Sequence, residues 1–188
     1  VTGIASAIRR ACSQAERALP TSAVVLGARA TASSALAALG ELDIVTSTVA
    51  ARRFGGPGSV VAASSRLGIS IEQVLWSDRR AVLRAVSGAD LVISTLPAGV
   101  ADSLAEEMTV REGQVLLDVV YSPRETALRS AFERNGGIVA EGTDMLIFQA
   151  AAQVQLMTGR SPKTDVMRGA LEAELARRAR AGGGGAAS

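Results

Sequence analysis

Gly27, Arg29 and Thr31, in the stretch Leu26-Gly27-Ala28-Arg29-Ala30-Thr31-Ala32, are the residues whose types and spacing first suggest chemistry. A wholly apolar run, Ala23 to Leu26, turns at a glycine into a small-residue segment with Leu36 and Leu39 on one face. A buried strand that meets a helix in this way leaves several backbone N–H groups unpaired at the positive end of the helix dipole. That makes a place for a phosphate. The dinucleotide fingerprint G-x-G-x-x-G/A is matched at its ends by Gly27 and Ala32, with Arg29 where the second glycine stands. Taken alone, the turn is equally that of an ordinary strand–helix connection.

Other chemistry is narrowed by composition. The 188 residues contain no histidine, which removes histidine general bases, Ser-His-Asp triads and most zinc sites. The single Cys12 excludes an internal disulfide framework and fits a reducing, cytoplasmic compartment. Twenty basic residues stand against 18 acidic ones, with aromatics at 3%, so the basic residues are not interleaved with stacking side chains and no nucleic-acid partner is expected. No apolar run reaches about 18 residues, so no membrane span is expected. The chain opens on Val1 with no signal-peptide pattern and reads as the later part of something longer.

The elements that must position these residues alternate. Apolar spacing predicts a helix over 4–18, strands at 23–26, 42–48, 69–76, 90–94, 115–120 and 138–140, and helices at 30–39, 59–67, 78–86 and 123–135. A short helical opening at 50–53 is broken by Gly55-Gly56-Pro57-Gly58. Helices over 145–158 and 165–181 end the chain before a disordered tail, 182–188. A core of Ala, Val, Leu and Ile suits a parallel sheet under helices. The expected fold is therefore α/β: a doubly wound, Rossmann-type parallel sheet of about six strands with C-terminal helices.

In such a sheet ligands bind beyond the carboxyl ends of the strands. After the first strand comes the turn Gly27, Ala28, Arg29, Ala30, Thr31. After the second come Thr46, Ser47 and Thr48, with Arg52 and Arg53 close behind and no carboxylate, an arrangement that favours a 2′-phosphate unless the arginines are simply solvated. After the fourth, Thr95, Pro97, Ala98 and Gly99 let a flat ligand lie close to the backbone, or form a simple turn. Asp118, inside an apolar strand, is expected to accept backbone or hydroxyl hydrogen bonds. Tyr121 is either a core aromatic or a cleft residue. Gln149, on one helical face with Met145, either satisfies a backbone group or points its amide at a ligand.

Several of these blocks, in order, resemble shikimate dehydrogenase, specifically its C-terminal NADP-binding domain. Ser94 to Gly99 is similar to the family's S-T-x-P-A-G. Asp118 to Pro123 with Thr126 is similar to D-V-V-Y-x-P-x-x-T. Gly142, Met145, Leu146, Gln149, Ala150 and Ala151 are similar to G-x-x-M-L-x-x-Q-A-A, followed by Thr158-Gly159. The resemblance runs from Val1 to about Leu171. It implies reduction of 3-dehydroshikimate to shikimate by hydride transfer from NADP(H), with NAD as the alternative cofactor. Gly27, Ala28, Arg29, Ala30 and Thr31 would hold the pyrophosphate. Thr48, Arg52, Thr95, Pro97, Ala98 and Met145 would complete the cofactor site, Val119 and Gly142 would line the nicotinamide, and Tyr121 and Gln149 would bind substrate.

Two departures stand out. Arg29 replaces a glycine that lets backbone approach the cofactor. Residues 46–51 stand where the family often has N-R-T-x-x-R, leaving Arg52 one place late. Val1-Thr2-Gly3 is similar to the end of the family's N-T-D-x-x-G. The catalytic Lys/Asp pair is thus expected upstream, in an N-terminal substrate domain, with none in this chain. On this reading, 1–20 is a linking helix, 21–144 the cofactor domain, and 145–181 helices packing back toward the substrate domain. The faces of 4–18 and 165–181 would then be exposed and promote self-association, for example as a homodimer. A quinate-type dehydrogenase and a non-catalytic nucleotide-binding module are the alternatives.

Overall fold

The computed structural model describes residues 1–56, 58–120 and 125–182. Among these, six strands form one sheet in the order β3-β2-β1-β4-β5-β6, every pair parallel. The strands are β1 Ala23–Leu26, β2 Thr46–Ala51, β3 Ser70–Leu75, β4 Leu91–Ser94, β5 Val115–Asp118 and β6 Ile138–Ala140. Eight helices join and flank them: α1 Thr2–Gln14, α2 Ala30–Gly40, α3 Val60–Leu67, α4 Arg79–Gly88, α5 Asp102–Glu107, α6 Ala127–Arg134, α7 Gly142–Thr158 and α8 Thr164–Gly182. The doubly wound parallel sheet is the expected one.

Strands β1, β4 and β5 are buried at every position, as a sheet covered on both faces requires. Alternate residues serve opposite layers. Ala23 and Val25 pack with α1 and α2, while Val24 and Leu26 pack with α4, α5 and α6. β1 and β4 are the neighbours at which the strand order reverses, so the connections leaving their carboxyl ends diverge to opposite faces and open a crevice.

Their amino ends are held shut. The Asp90 carboxylate accepts from the N–H and hydroxyl of both Thr21 and Ser22, at 2.9–3.2 Å, and pairs with Arg111. The Leu91 N–H donates to the Ser22 carbonyl at 3.0 Å, closing the β1–β4 ladder.

Several boundaries differ from expectation for local reasons. β2 begins at Thr46, not Leu42. Leu42 and Ile44 are buried beyond the end of α2, where three N–H groups bond back to Leu39 and Gly40 and Asp43 takes a positive φ. The strand continues to Ala51, so no helix opens at residue 50. α1 stops at Gln14, because Glu16 enters positive φ and the Arg17 N–H returns to the Cys12 carbonyl. α5 is an additional helix, buried through Leu104 and Ala105. α6 starts at Ala127 rather than Pro123, with Thr126 accepting from the Arg129 N–H at 3.2 Å. Of the tail read at 182–188, Gly182 still belongs to α8 and 183–188 lie outside the described residues.

The expectation of an exposed α1 is overturned. Gly3, Ile4, Ala5, Ala7, Ile8, Ala11 and Cys12 are all buried, and α1 lies against α7, β6, β5 and α2. A Cβ added at Gly3 would come within 2.5 Å of the Met145 carbonyl, so only glycine lets the two helices approach this closely. Among the exposed apolar side chains are Val154, Leu156 and Met157 on the far half of α7 and Val166 on α8.

α1, α7 and α8 are joined by charge. Asp144, buried in the first turn of α7, pairs with Arg10 of α1 at 3.2 Å and with Arg168 of α8. Burial, together with the nearby Arg10 charge, pushes the Arg168 guanidinium down. Removing the shared carboxylate leaves two partly exposed guanidinium groups facing each other without their counter-charge, so Asp144→Ala is expected to cost about 2 kcal/mol in denaturant unfolding; a loss below about 0.5 kcal/mol would show the cluster to be dispensable. Partial burial pushes the Asp90 carboxyl up, but the Ser22 and Thr21 donors and Arg111 outweigh it and hold it at about 2. The folded value lies below the unfolded one, so its stabilisation is complete above about pH 4 and fades as pH falls towards 2. Thermal melts should show Asp90→Asn lacking that part of the acid dependence seen in the unaltered chain.

Candidate functional site

At the carboxyl end of β1 the chain turns at Gly27, with φ +111°, and its N–H donates to the Ala50 carbonyl at 2.8 Å. A Cβ here would run into the Thr95 hydroxyl. Glycine is therefore required on both conformational and steric grounds. Thr95, the first residue after β4, gives its N–H (2.9 Å) and its hydroxyl (2.8 Å) to the same acceptor, the Leu26 carbonyl.

Arg29 is the N-cap residue of α2, extended at φ −97°, ψ −167°, and caps no N–H with its side chain. Arg29, Ala30 and Thr31 are exposed, and Ala28 packs partly against the core. The first turn of an 11-residue helix is thus open at the crevice, with a cation at its mouth. The Val60 N–H reaches the Ala28 carbonyl, and the Ser33 hydroxyl reaches the Gly58 carbonyl at 3.0 Å. These contacts bring the Gly-rich connection after β2 beside the turn.

The register of β2 reassigns the residues behind it. Thr48 sits inside the strand opposite Val24, half-buried, with its hydroxyl towards Glu72 at 3.3 Å, and so does not reach the crevice. Arg52 and Arg53 follow the strand directly, exposed and in no ion pair among the described residues. Arg52 is therefore the residue that emerges at the strand end, where the motif comparison had it one place late.

Beyond β4, Pro97 and Ala98 are exposed ahead of a positive-φ Gly99. Beyond β5, Asp118 is buried and accepts from the Val120 N–H at 3.2 Å and the Thr126 hydroxyl at 2.9 Å. Burial raises its carboxyl despite these donors and a further one from Ser94. Its structural assignment is supported. Val119 is half-buried, its N–H on the Ser94 carbonyl at 3.0 Å. Gly142 and Met145, both buried, begin α7, and Gln149 lies one turn further on, exposed. Tyr121 lies outside the described residues.

Two neighbouring clefts line this edge and share Asp118, Val120 and Thr126. One runs to Gly142 and Thr143, the other to Pro97, Ala98 and Gly99. Each holds about 10 Å³, room for about one water. A larger ligand must therefore lie along the open edge. The sequence reading missed Arg129, whose guanidinium is bidentate to Glu141 at 2.7–2.9 Å beside Gly142. Its only sequence signal was the i,i+4 spacing from Arg129 to Glu133, met here at 2.8 Å.

A parallel sheet with this order, a Gly27 turn at the point where the order reverses and an open helix start beyond it define a Rossmann-type α/β domain. Residues 142–172 match the family model described as Shikimate 5'-dehydrogenase C-terminal domain. The shikimate dehydrogenase (NADP(+)) of Methylocella silvestris is 33% identical over 162 residues, covering 84% of this chain and 55% of the relative. The crystal structure of Mycobacterium tuberculosis shikimate dehydrogenase superposes with a TM-score of 0.74 at 32% identity, over 88% of this chain and 61% of that one. The Thermus thermophilus enzyme, solved with NADP(H) and shikimate, gives 0.66 at 25% identity, over 95% and 62%. The chain belongs to the shikimate dehydrogenase family. It spans little more than half the length of these relatives.

The turn gives a direct test of its own. Gly27→Ala meets both a forbidden backbone and the Thr95 hydroxyl, and is expected to cost about 2 kcal/mol or more. Thr95→Val removes one of two bonds to the Leu26 carbonyl and is expected to cost about 1 kcal/mol. Urea midpoints in the reverse order would contradict this account of the turn.

Proposed function

We propose that this chain forms the cofactor-holding part of an NADP-dependent shikimate dehydrogenase, which interconverts 3-dehydroshikimate and shikimate. The observation that carries the cofactor choice is the end of β2, where Arg52 and Arg53 emerge beside the Gly27 turn with no carboxylate. A carboxylate there would accept from a ribose 2′-hydroxyl, whereas a guanidinium matches a 2′-phosphate. The turn at Gly27 leaves the first amides of α2 open at the crevice, which fits a pyrophosphate held by backbone.

NADP(H), when bound, supplies the hydride. The chain's own residues bind and orient. Gly27 to Thr31 present the first amides of α2, and Arg52 and Arg29 offer positive charge to the phosphates. Thr95, Pro97 and Ala98 support the cofactor from β4, and Val119, Gly142 and Met145 bound the nicotinamide end. Gln149, exposed one turn into α7, would bind substrate, and the resemblance assigns Tyr121 to the same role. Proton delivery falls to groups outside the described residues. Asp118 is engaged by Val120, Thr126 and Ser94, and Asp144 by two arginines. Lys163, the chain's one lysine, is exposed between α7 and α8. These engaged carboxylates also favour a second reading, a nucleotide-binding module without catalysis of its own.

Fluorescence titration separates these cases. The chain is expected to bind NADPH at least about tenfold more tightly than NADH, and Arg52→Ala to reduce that preference to about twofold. Equal affinity for both cofactors in the unaltered chain would overturn the NADP assignment. With 3-dehydroshikimate and NADPH the chain alone is expected to show no turnover; activity above a boiled control would place the acid within this chain instead.

A further inference from the structure

β3 ends the sheet on one side, and among the described residues no strand lies beyond it. Which of its backbone groups face outward is fixed at its two ends. The Ser70 and Trp76 N–H groups both donate towards β2, to the Val45 and Ala51 carbonyls at 2.9 Å. Glu72 and Val74 follow the same alternation, so the N–H and C=O of Ile71, Gln73 and Leu75 are turned to the open edge.

Edges of this kind are commonly blunted by lysine, proline or a bulge. β3 carries no lysine or proline, and its register with β2 runs unbroken from Ser70 to Leu75. Its one charge, Glu72, is drawn back over β2 to the Thr48 hydroxyl at 3.3 Å. Apolar side chains are exposed along the same border: Leu75 in the strand, Val45 beside its start, and Val61 and Leu67 on α3, which packs on it. α1 and α7 lie against each other at the β6 end of the sheet, away from this border.

We propose that β3 is a self-association edge: two copies of this chain join antiparallel through Ile71 to Leu75, centred on Gln73, and continue one sheet across both. A twofold axis sets the central residue opposite itself. Centred on Glu72, the pairing would oppose two carboxylates in a non-hydrogen-bonded pair, where side chains come closest. Centred on Ile71 or Val74, the overlap would run past an end of the strand. Centred on Gln73, amide meets amide, Ile71 meets Leu75, and Glu72 meets Val74, so no like charges are opposed. In that register Gln73 exchanges its N–H and C=O with its own copy, and Ile71 does so with Leu75 on either side. These are the groups that face outward. The inference is independent of the cofactor assignment, because the crevice opens between β1 and β4.

Analytical ultracentrifugation tests this. Between about 5 and 200 μM the unaltered chain is expected to show a monomer–dimer equilibrium with a dissociation constant of about 10 μM. Gln73→Pro removes an outward N–H and takes no donor from the β2–β3 ladder, so it is expected to raise that constant at least about tenfold. Gln73→Lys, which keeps every backbone donor and serves even if the proline variant does not fold, sets two ammonium groups across the twofold axis. It is expected to weaken the dimer about tenfold at about 50 mM salt and to recover to within about threefold at about 1 M. Leu156→Glu, on the exposed part of α7, is expected to leave the constant within about twofold. A chain that stays monomeric throughout, Gln73 variants that dimerise as the unaltered chain does, or a lysine effect that salt does not relieve would each overturn the inference. A dimer lost in Leu156→Glu would overturn it too, and would place the contact on α7.

Discussion

The Leu26 carbonyl accepts two hydrogen bonds from one residue, the N–H and the hydroxyl of Thr95, and the rest of the candidate site depends on that pairing. It is the last tie between β1 and β4 before their chains part to opposite faces of the sheet. The side chain that makes the second bond occupies the space a Cβ on Gly27 would need. One hydroxyl thus terminates the ladder and enforces the glycine, and the glycine's positive φ aims α2 across the crevice. At the other end of the same two strands, Asp90 gathers four donors from Thr21 and Ser22. The pair is clamped at its amino ends and forced apart at its carboxyl ends, the geometry that opens a binding edge in a doubly wound sheet.

The carboxylates around that edge share a second constraint. Asp118 is satisfied by a backbone amide and hydroxyls, Asp144 by Arg10 and Arg168, and Glu141 by Arg129. Each is wholly or partly buried, and each would be costly to leave unpaired. Their partners come from different elements, so the charges join α1, α6, α7 and α8 around the end of the sheet. Groups held this firmly by partners from several elements fix the shape of the edge.

Much of this was legible in the sequence, and the failures have specific causes. β1, β4 and β5 were readable because full burial on both faces demands an unbroken apolar run, and few other structures ask for one. β2 was misplaced by four residues at its start. Leu42 and Ile44 are β-prone and buried, but they serve the end of α2, whereas the true strand opens with Thr46-Ser47-Thr48 beside the exposed edge strand β3. The error carried straight into the site, drawing Thr48 in as a ligand and pushing Arg52 out of register. α1 was expected to present a face to another domain, because its amphipathic spacing does not say which surface receives it. In fact Gly3 and its alanines fit against α7. The Arg129–Glu141 pair lay 12 residues apart with no local period to suggest it.

Arg29 shows why a fingerprint must be read position by position. A glycine in a phosphate turn answers one of two needs: a backbone conformation closed to other residues, or the removal of a Cβ that would collide. Gly27 answers both within the chain itself, through its φ of +111° and the Thr95 hydroxyl. The position of Arg29 has neither need there. Its φ of −97° is open to any residue, and its side chain stands exposed at the start of α2. The arginine therefore imposes no strain on the turn, and its effect is confined to what a ligand meets. There it adds a charge where the helix dipole already favours an anion. This departure from the fingerprint leaves the fold of the turn untouched.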